Sequence, residues 1–180
     1  MPSFPRLTTA IVGTVAFVAT LACAPMRVRS FTEPGIDFAR YHTYAWAERL
    51  DTATGDPRLD NNPFFQTRLM TDVDRELSRR GFERRSAGTP DLYVHYHTRI
   101  TQELDVRTID REYGSCQNCG ATVYDAGTIL IDFIDGRSEK LAWRGWVETS
   151  MQGAIDNQRW MEEQIDQAVT RILGRLPGRL

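Results

Sequence analysis

No stretch of this 180-residue chain is apolar for long enough to cross a bilayer as a helix. The longest apolar run, Leu7 to Leu21, is softened by Thr8, Thr9, Gly13, Thr14 and Thr20. At ~1.5 Å per residue it would reach roughly 22 Å, short of the ~30 Å hydrocarbon core. Gly-x-Ser-x-Gly, phosphate-loop and His-Glu-x-x-His patterns are all missing. We therefore expect no enzyme activity and no cofactor. A charge excess is missing too. The formal net charge is −2, which gives no reason to expect a nucleic-acid partner. Cysteine is scarce, at three residues, and there are no internal repeats or low-complexity tracts.

What the N-terminus does carry is an export signal. Arg6 is the only charged side chain in residues 1–22, the apolar run follows it, and the small residue Ala22 closes it. The run stops at Cys23. A conventional cut after Ala24 would leave Pro25 beside the scissile bond, where its fixed φ and missing N–H are unfavourable. Leu21-Ala22-Cys23 instead resembles the end of a lipobox, although Thr20 stands where Leu is usual. The expectation is a signal peptide over 1–22, lipid on Cys23, a short tether over 23–27 and a single domain over 28–180. Ala24, rather than Asp, resembles default sorting to the outer membrane, which would set the domain in the periplasm. Five tether residues reach only ~17 Å, so the domain would lie close to the membrane surface.

Cys116 and Cys119 remain. An oxidising compartment favours a disulfide between them, with free thiols or half of a zinc site as alternatives. His95 and His97 would be the other half, since residues two apart on a strand project together. If residues 91–108 form one strand, His97 lies ~36 Å from its end, which argues against closing such a site. Asp132 and Asp135 would make an acid pair for a metal, yet Asp135 is better explained by a turn. Arg79, Arg80, Arg84 and Arg85 gather at an expected helix end, where cations suit the dipole; an anionic lipid contact is the alternative. Trp143 is assigned to the core and Trp146, on the opposite strand face, to partner contact.

Periodicity gives the fold. Arg27 to Thr32 and Thr43 to Trp46 read as strands around a Pro34-Gly35 turn, and Asp51 to Asn61 as a loop. Asn62 caps a helix, Pro63 fills its first turn, Phe65, Leu69, Val73 and Leu77 form its stripe, and Gly81 stops it. From Asp91 the period becomes two. Leu92, Val94, Tyr96, Thr98 and Ile100 share one face, and Tyr93, His95, His97, Arg99 and Thr101 the other. The alternation continues to Arg107, long enough that a bulge or bend is expected. Residues 109–121 break it and read as the tip of a hairpin, with Tyr113 as a partner contact. Strands follow over 122–134, with Ile129, Ile131 and Phe133 inward, and over 141–149, with Leu141, Trp143 and Val147 on one face. The last helix starts near Asn157, carries Met161, Ile165, Ala168, Val169, Ile172 and Leu176, and ends at Pro177. This order predicts an α+β fold: an antiparallel sheet with two helices packed on one face, a two-layer sandwich with a long protruding β-hairpin.

These residues resemble a known family, the domain of unknown function 4136 of bacterial envelope lipoproteins. The resemblance rests on Asp37-Phe38 with Tyr41 and Thr43-Tyr44-Ala45-Trp46, on Asn62-Pro63, and on Glu76-Leu77 with Arg80-Gly81-Phe82. It continues through Pro90-Asp91-Leu92-Tyr93-Val94 with Tyr96-His97, then Gly127-Thr128-Ile129 with Ile131-Asp132. Trp143-Arg144-Gly145, Ala168-Val169, Ile172-Leu173 and Pro177 complete it. It implies location and fold but no catalytic residue, and the Cys116/Cys119 pair is not part of it. The expected function is an outer-membrane-anchored periplasmic lipoprotein that works as a non-catalytic binding or structural module. Its partners would be the membrane, through the lipid, and an unidentified envelope protein or ligand. Two alternatives stand beside this reading. One is an envelope metal-binding protein or enzyme built on His95, His97 and the cysteine loop. The other is an accessory subunit of an envelope transport or assembly complex.

Overall fold

The computed structural model describes residues 26–48, 54, 56–60, 62–104, 123–151 and 153–178. In chain order these form β1 (Arg27–Thr32), β2 (Thr43–Trp46), α1 (Pro57–Asp60), α2 (Pro63–Arg79), β3 (Glu83–Arg84), β4 (Leu92–Leu104), β5 (Val123–Asp135), β6 (Leu141–Ser150) and α3 (Gln158–Leu173). A single sheet runs in the order β1-β6-β5-β4-β2-β3. Among the described residues, no helix is long and apolar enough to cross a membrane.

Both long helices start where their sequence dictates, and α2 also stops where it dictates. The Asn62 side chain accepts from the Phe64 and Phe65 N–H groups at 3.1 and 3.4 Å, with Pro63 in the first turn. At the far end Gly81 takes φ 78°, the left-handed conformation that glycine tolerates best. The Phe82 N–H then reaches Leu77 C=O and the Gly81 N–H reaches Ser78 C=O, satisfying carbonyls that the helix leaves open. Asn157 caps α3 by accepting from the Trp160 N–H at 3.1 Å. That helix ends at Leu173, before Pro177; Leu176 is nonetheless buried, because a tighter turn bonds its N–H to Leu173 C=O.

The stripes of both helices enter one core. Leu69, Val73 and Leu77 of α2 and Ile165, Val169 and Ile172 of α3 belong to the same buried cluster as Leu92, Val94, Ile131, Phe133, Trp143 and Val147 of the sheet. Two helices therefore cover one face of the sheet, as the α+β reading requires.

The sheet is antiparallel from β1 through β6 and β5 to β4, but β2 pairs parallel with both β3 and β4. The expected uniformly antiparallel sheet is thus a mixed one. The reason is the crossover: α2 carries the chain back to the end where β2 began, so β4 starts beside β2 and runs with it.

Two local expectations change. β4 and β5 pair without a break from Leu92↔Asp135 to Leu104↔Val123, so the long strand contains no bulge over its described length. The irregularity falls instead between β5 and β6, where Phe133 pairs Trp143 but Ile134 pairs Leu141. Ala142 is the extra residue, and Leu141 consequently shares the face of Ile134, not that of Trp143. The loop expected over 51–61 holds a one-turn helix, α1, whose Leu59 is buried in the core. At the other end of the hairpin Thr101, Gln102 and Glu103 are all exposed whichever face they occupy, so the β4–β5 ribbon extends beyond the helices.

Candidate functional site

The family-like residues divide into those that build the fold and those that do not. Asp37 caps a single 3-10 turn by accepting from the Ala39 N–H at 3.0 Å. Asp91 ties the start of β2 to the start of β4: one of its oxygens accepts from the N–H groups of His42 and Thr43 and from the Thr43 hydroxyl, each at 2.9 Å. Burial pushes the Asp91 carboxyl up, but those donors hold it below the usual range. Asp135 accepts from the Arg137 and Ser138 N–H groups, the Ser138 hydroxyl and the Tyr41 hydroxyl. It is a turn residue, and its lone pairs are engaged. Asp74 on α2 accepts from the Tyr44 hydroxyl at 2.7 Å and Trp46 Nε1 at 2.9 Å, stapling β2 to the helix. Gly145 gives room for Trp143: a Cβ there would lie 2.2 Å from the Trp143 ring.

The remaining family-like polar residues collect on the sheet face opposite the helices. Cross-strand register sets Phe31, Arg144, Asp132 and His95 in one row and Arg29, Trp146, Leu130 and His97 in the next. Arg144 grips Asp132 with two parallel bonds, Nε at 2.7 Å and an outer guanidinium nitrogen at 2.6 Å. Asp132 is only 4% exposed although no described helix covers this face. Burial lowers the pKa of half-buried His95; Asp132 pulls it back up and His97 pushes it down further. Trp146 is half-buried, and Phe31 at the edge is 45% exposed. The row thus holds a half-buried imidazole, a carboxylate gripped by a guanidinium, and an exposed phenyl ring at its edge.

Of the residues singled out in the sequence, His95, His97 and Trp146 come together on this face. Cys23, Tyr113, Cys116 and Cys119 lie outside the described residues. Among the described residues, no group of three or more His, Cys, Asp or Glu side chains is placed to hold a metal. The basic cluster is dispersed: Arg79 pairs with Glu76, Arg84 with Asp74, and Arg85 donates to Thr89 C=O. Sequence reasoning missed the Asp132–Arg144 pair. Counting back from Ile134↔Leu141 would set Asp132 against Trp143, and only the extra Ala142 brings Arg144 opposite.

The family model described as Domain of unknown function (DUF4136) matches residues 28–178. No curated protein matches the chain. Among solved structures, a PDZ domain protein from Parabacteroides distasonis is similar at TM-score 0.53 and 14% identity, over 88% of this chain and 38% of its own. The chain thus spans well under half the length of that protein. PelC from Paraburkholderia phytofirmans, solved as a dodecamer, is similar at TM-score 0.51 and 10% identity, over 87% of this chain and 100% of its own. A DUF4136 family protein from Bacteroides thetaiotaomicron aligns at TM-score 0.46 and 10% identity, over 81% of this chain and 95% of its own. At these identities the likenesses are of fold alone.

Proposed function

The chain belongs to the DUF4136 family, whose function is unknown, and we propose that it is a lipid-anchored, periplasm-facing envelope protein whose uncovered sheet face binds a partner without catalysis. One observation carries this reading. Both helices lie on one side of the sheet, while Asp132, Arg144, His97 and Trp146 lie together on the other, with no described element over them. An aromatic and aliphatic patch ringed by charge has the composition of a contact surface. The anchor part of the proposal rests on the signal that ends at Cys23.

Site-specific photo-crosslinking in cells tests it. A photoreactive residue at Glu148, exposed on the uncovered face, should capture a partner, and Trp146→Ala should abolish the product. The same group at Thr67, exposed on α2, should capture nothing. Equal capture from both positions, or none from Glu148, refutes the contact surface. Replacing residues 109–121 with a short Gly/Ser turn separates the hairpin tip and Tyr113 from this face as the contact. For the anchor, Cys23→Ser should fold yet carry no lipid. An unmodified Cys23 thiol in the mature protein, found by mass spectrometry, would exclude it.

A second reading, a subunit of a larger assembly, draws on the dodecameric state of similarly folded PelC and on the exposed edge strand β1. The crosslink distinguishes the two, since a captured second copy of this chain would point to self-assembly.

A further inference from the structure

At the end of the sandwich away from the β5–β6 turn, the core opens into a cleft among the described residues. Pro57–Asp60 turns the chain under β4; the Ile100 N–H donates to Thr54 C=O at 2.8 Å, and Leu59 is buried below. On the helix-facing side of the sheet, register pairs Ile100 with Gly127 and Gln102 with Asp125. Two adjoining spaces share Ile100 as a wall. The outer one, about 350 Å³, has a mixed lining, with Pro57 and Ile100 beside the polar Asp56, Arg58, Gln102 and Asp125. The inner one, with only about 20 Å³ of open room, is apolar, bounded by Leu59, Phe65, Ile129, Met151 and Ile165. That room holds about one water molecule. The Thr98 hydroxyl lines it, 7% exposed and without a hydrogen-bond partner.

Met151 is the plug. A Cβ added at Gly127 would lie 2.5 Å from Met151 Cγ, so the thioether chain occupies the space a side chain at 127 would need. The Met151 N–H is fixed to Asp125 C=O at 2.7 Å, but an unbranched methionine side chain repacks easily. Swung aside, it would leave a narrow apolar slot running inward from the outer cleft. The charge at the mouth is uneven. Arg58 engages both oxygens of Asp56, closest at 2.6 Å, and reaches Asp125 at 3.2 Å. That last contact is long for a bond between charged groups, so Asp125 retains accepting capacity.

We propose that this end of the sandwich binds a slender alkyl chain with a protonated amine head, the amine on Asp125 and the chain in the slot that Met151 fills. Among the described residues, two carboxylates against one guanidinium favour a cationic head over an anionic one, and the space of one methionine side chain suits an unbranched tail. This site is separate from the uncovered sheet face, because Asp125, Gly127 and Ile100 project to the helix side.

The test uses the full chain in isolated membranes, with an octylamine derivative bearing a diazirine near the chain end as the photo-probe. Labelling should saturate, should map by mass spectrometry to the peptides holding Met151 and Ile165, and should be competed by octylamine. Octanoate should compete on the order of tenfold more weakly. Gly127→Val, which fills the slot, should remove the labelling. Should that variant fail to fold, Asp125→Asn decides, with an expected loss on the order of tenfold. Labelling that does not saturate, that octanoate competes as well as octylamine, or that Asp125→Asn leaves unchanged overturns the proposal.

Discussion

Replacing Asp74 with Ala removes one carboxylate from α2 and strands two donors on β2. Both the Tyr44 hydroxyl, at 2.7 Å, and Trp46 Nε1, at 2.9 Å, end on the same Asp74 oxygen, while Arg84 takes the other at 2.9 Å. Tyr44 is 2% exposed, so its hydroxyl cannot rehydrate without moving the core. A hydrogen bond to a charged acceptor is worth about 1.5–3 kcal/mol, and an abandoned buried donor costs a similar amount. Trp46 is only half-buried and regains water more readily, so its share falls at the low end. The Arg84 pair adds little, because that side chain is 55% exposed. The expected loss for Asp74→Ala is about 3–4 kcal/mol, a large part of the ~5–15 kcal/mol that a domain commonly has. Asp74→Asn keeps a neutral acceptor in place and should lose about 1–2 kcal/mol. Urea unfolding of the purified protein, followed by tryptophan fluorescence with an unchanged denaturant slope, measures both. In a Tyr44→Phe background the cost of Asp74→Ala should shrink by about 1.5–3 kcal/mol, since one stranded donor is gone. A loss below about 1 kcal/mol, or no coupling to Tyr44, would mean that the staple does not hold β2 to the helix.

Leu77→Ala should cost about 2–5 kcal/mol, because the side chain is fully buried between helix and sheet; under ~1 kcal/mol would place the wrong face of α2 inward. Arg144→Ala should destabilise by about 2–4 kcal/mol by leaving Asp132 buried without its partner, below the full buried-pair range because Arg144 is 42% exposed. Adding Asp132→Ala to that variant should recover part of the loss, and no recovery would refute the pairing as its cause. Burial pushes the Asp135 carboxyl up from its ordinary 3.8, but donors from Ser138, Tyr41 and Arg137 outweigh it and hold it at about 2. Its contribution is therefore present above pH ~4 and is lost as the pH falls towards 2. Acid unfolding of Asp135→Asn should show a flatter profile across that window, and an unchanged profile sinks the assignment.

The helices were legible because their signals are local. Asn62-Pro63 and Gly81 bracket α2, Asn157 opens α3, and the apolar stripes between them needed no knowledge of the rest of the chain. The long strands were legible for the same reason, since a period of two names both faces at once. What escaped depends on where elements meet. The parallel β2–β4 pairing follows from the path of α2, not from any residue in β2. α1 is a single turn in a polar stretch, held by burial of Leu59, and one leucine makes no pattern. The side of Leu141 was lost because Ala142 inserts one residue, and a one-residue slip turns every preceding side chain to the other face.

That inserted residue also explains why the candidate site was only half visible. His95, His97 and Trp146 were found by alternation, but the ion pair beside them requires Asp132 to face Arg144, and the bulge alone provides that. Most of the family-like sequence is spent on folding: Asp91 and Thr43 lock two strand starts, Asp135 and Tyr41 lock a turn, and Gly145 makes room for Trp143. Residues with such tasks would be retained whatever the protein binds, so their pattern identifies the fold and is silent about the partner. Asp132 and Arg144 stand between the two groups. They stabilise the sheet and also shape its uncovered face, so loss of partner capture in their variants would mix unfolding with lost contact. His97 and Trp146 lie on the same face without holding up the core. Variants there that keep the unfolding midpoint but lose the crosslink would assign the contact cleanly, and they are the substitutions by which this face should be judged.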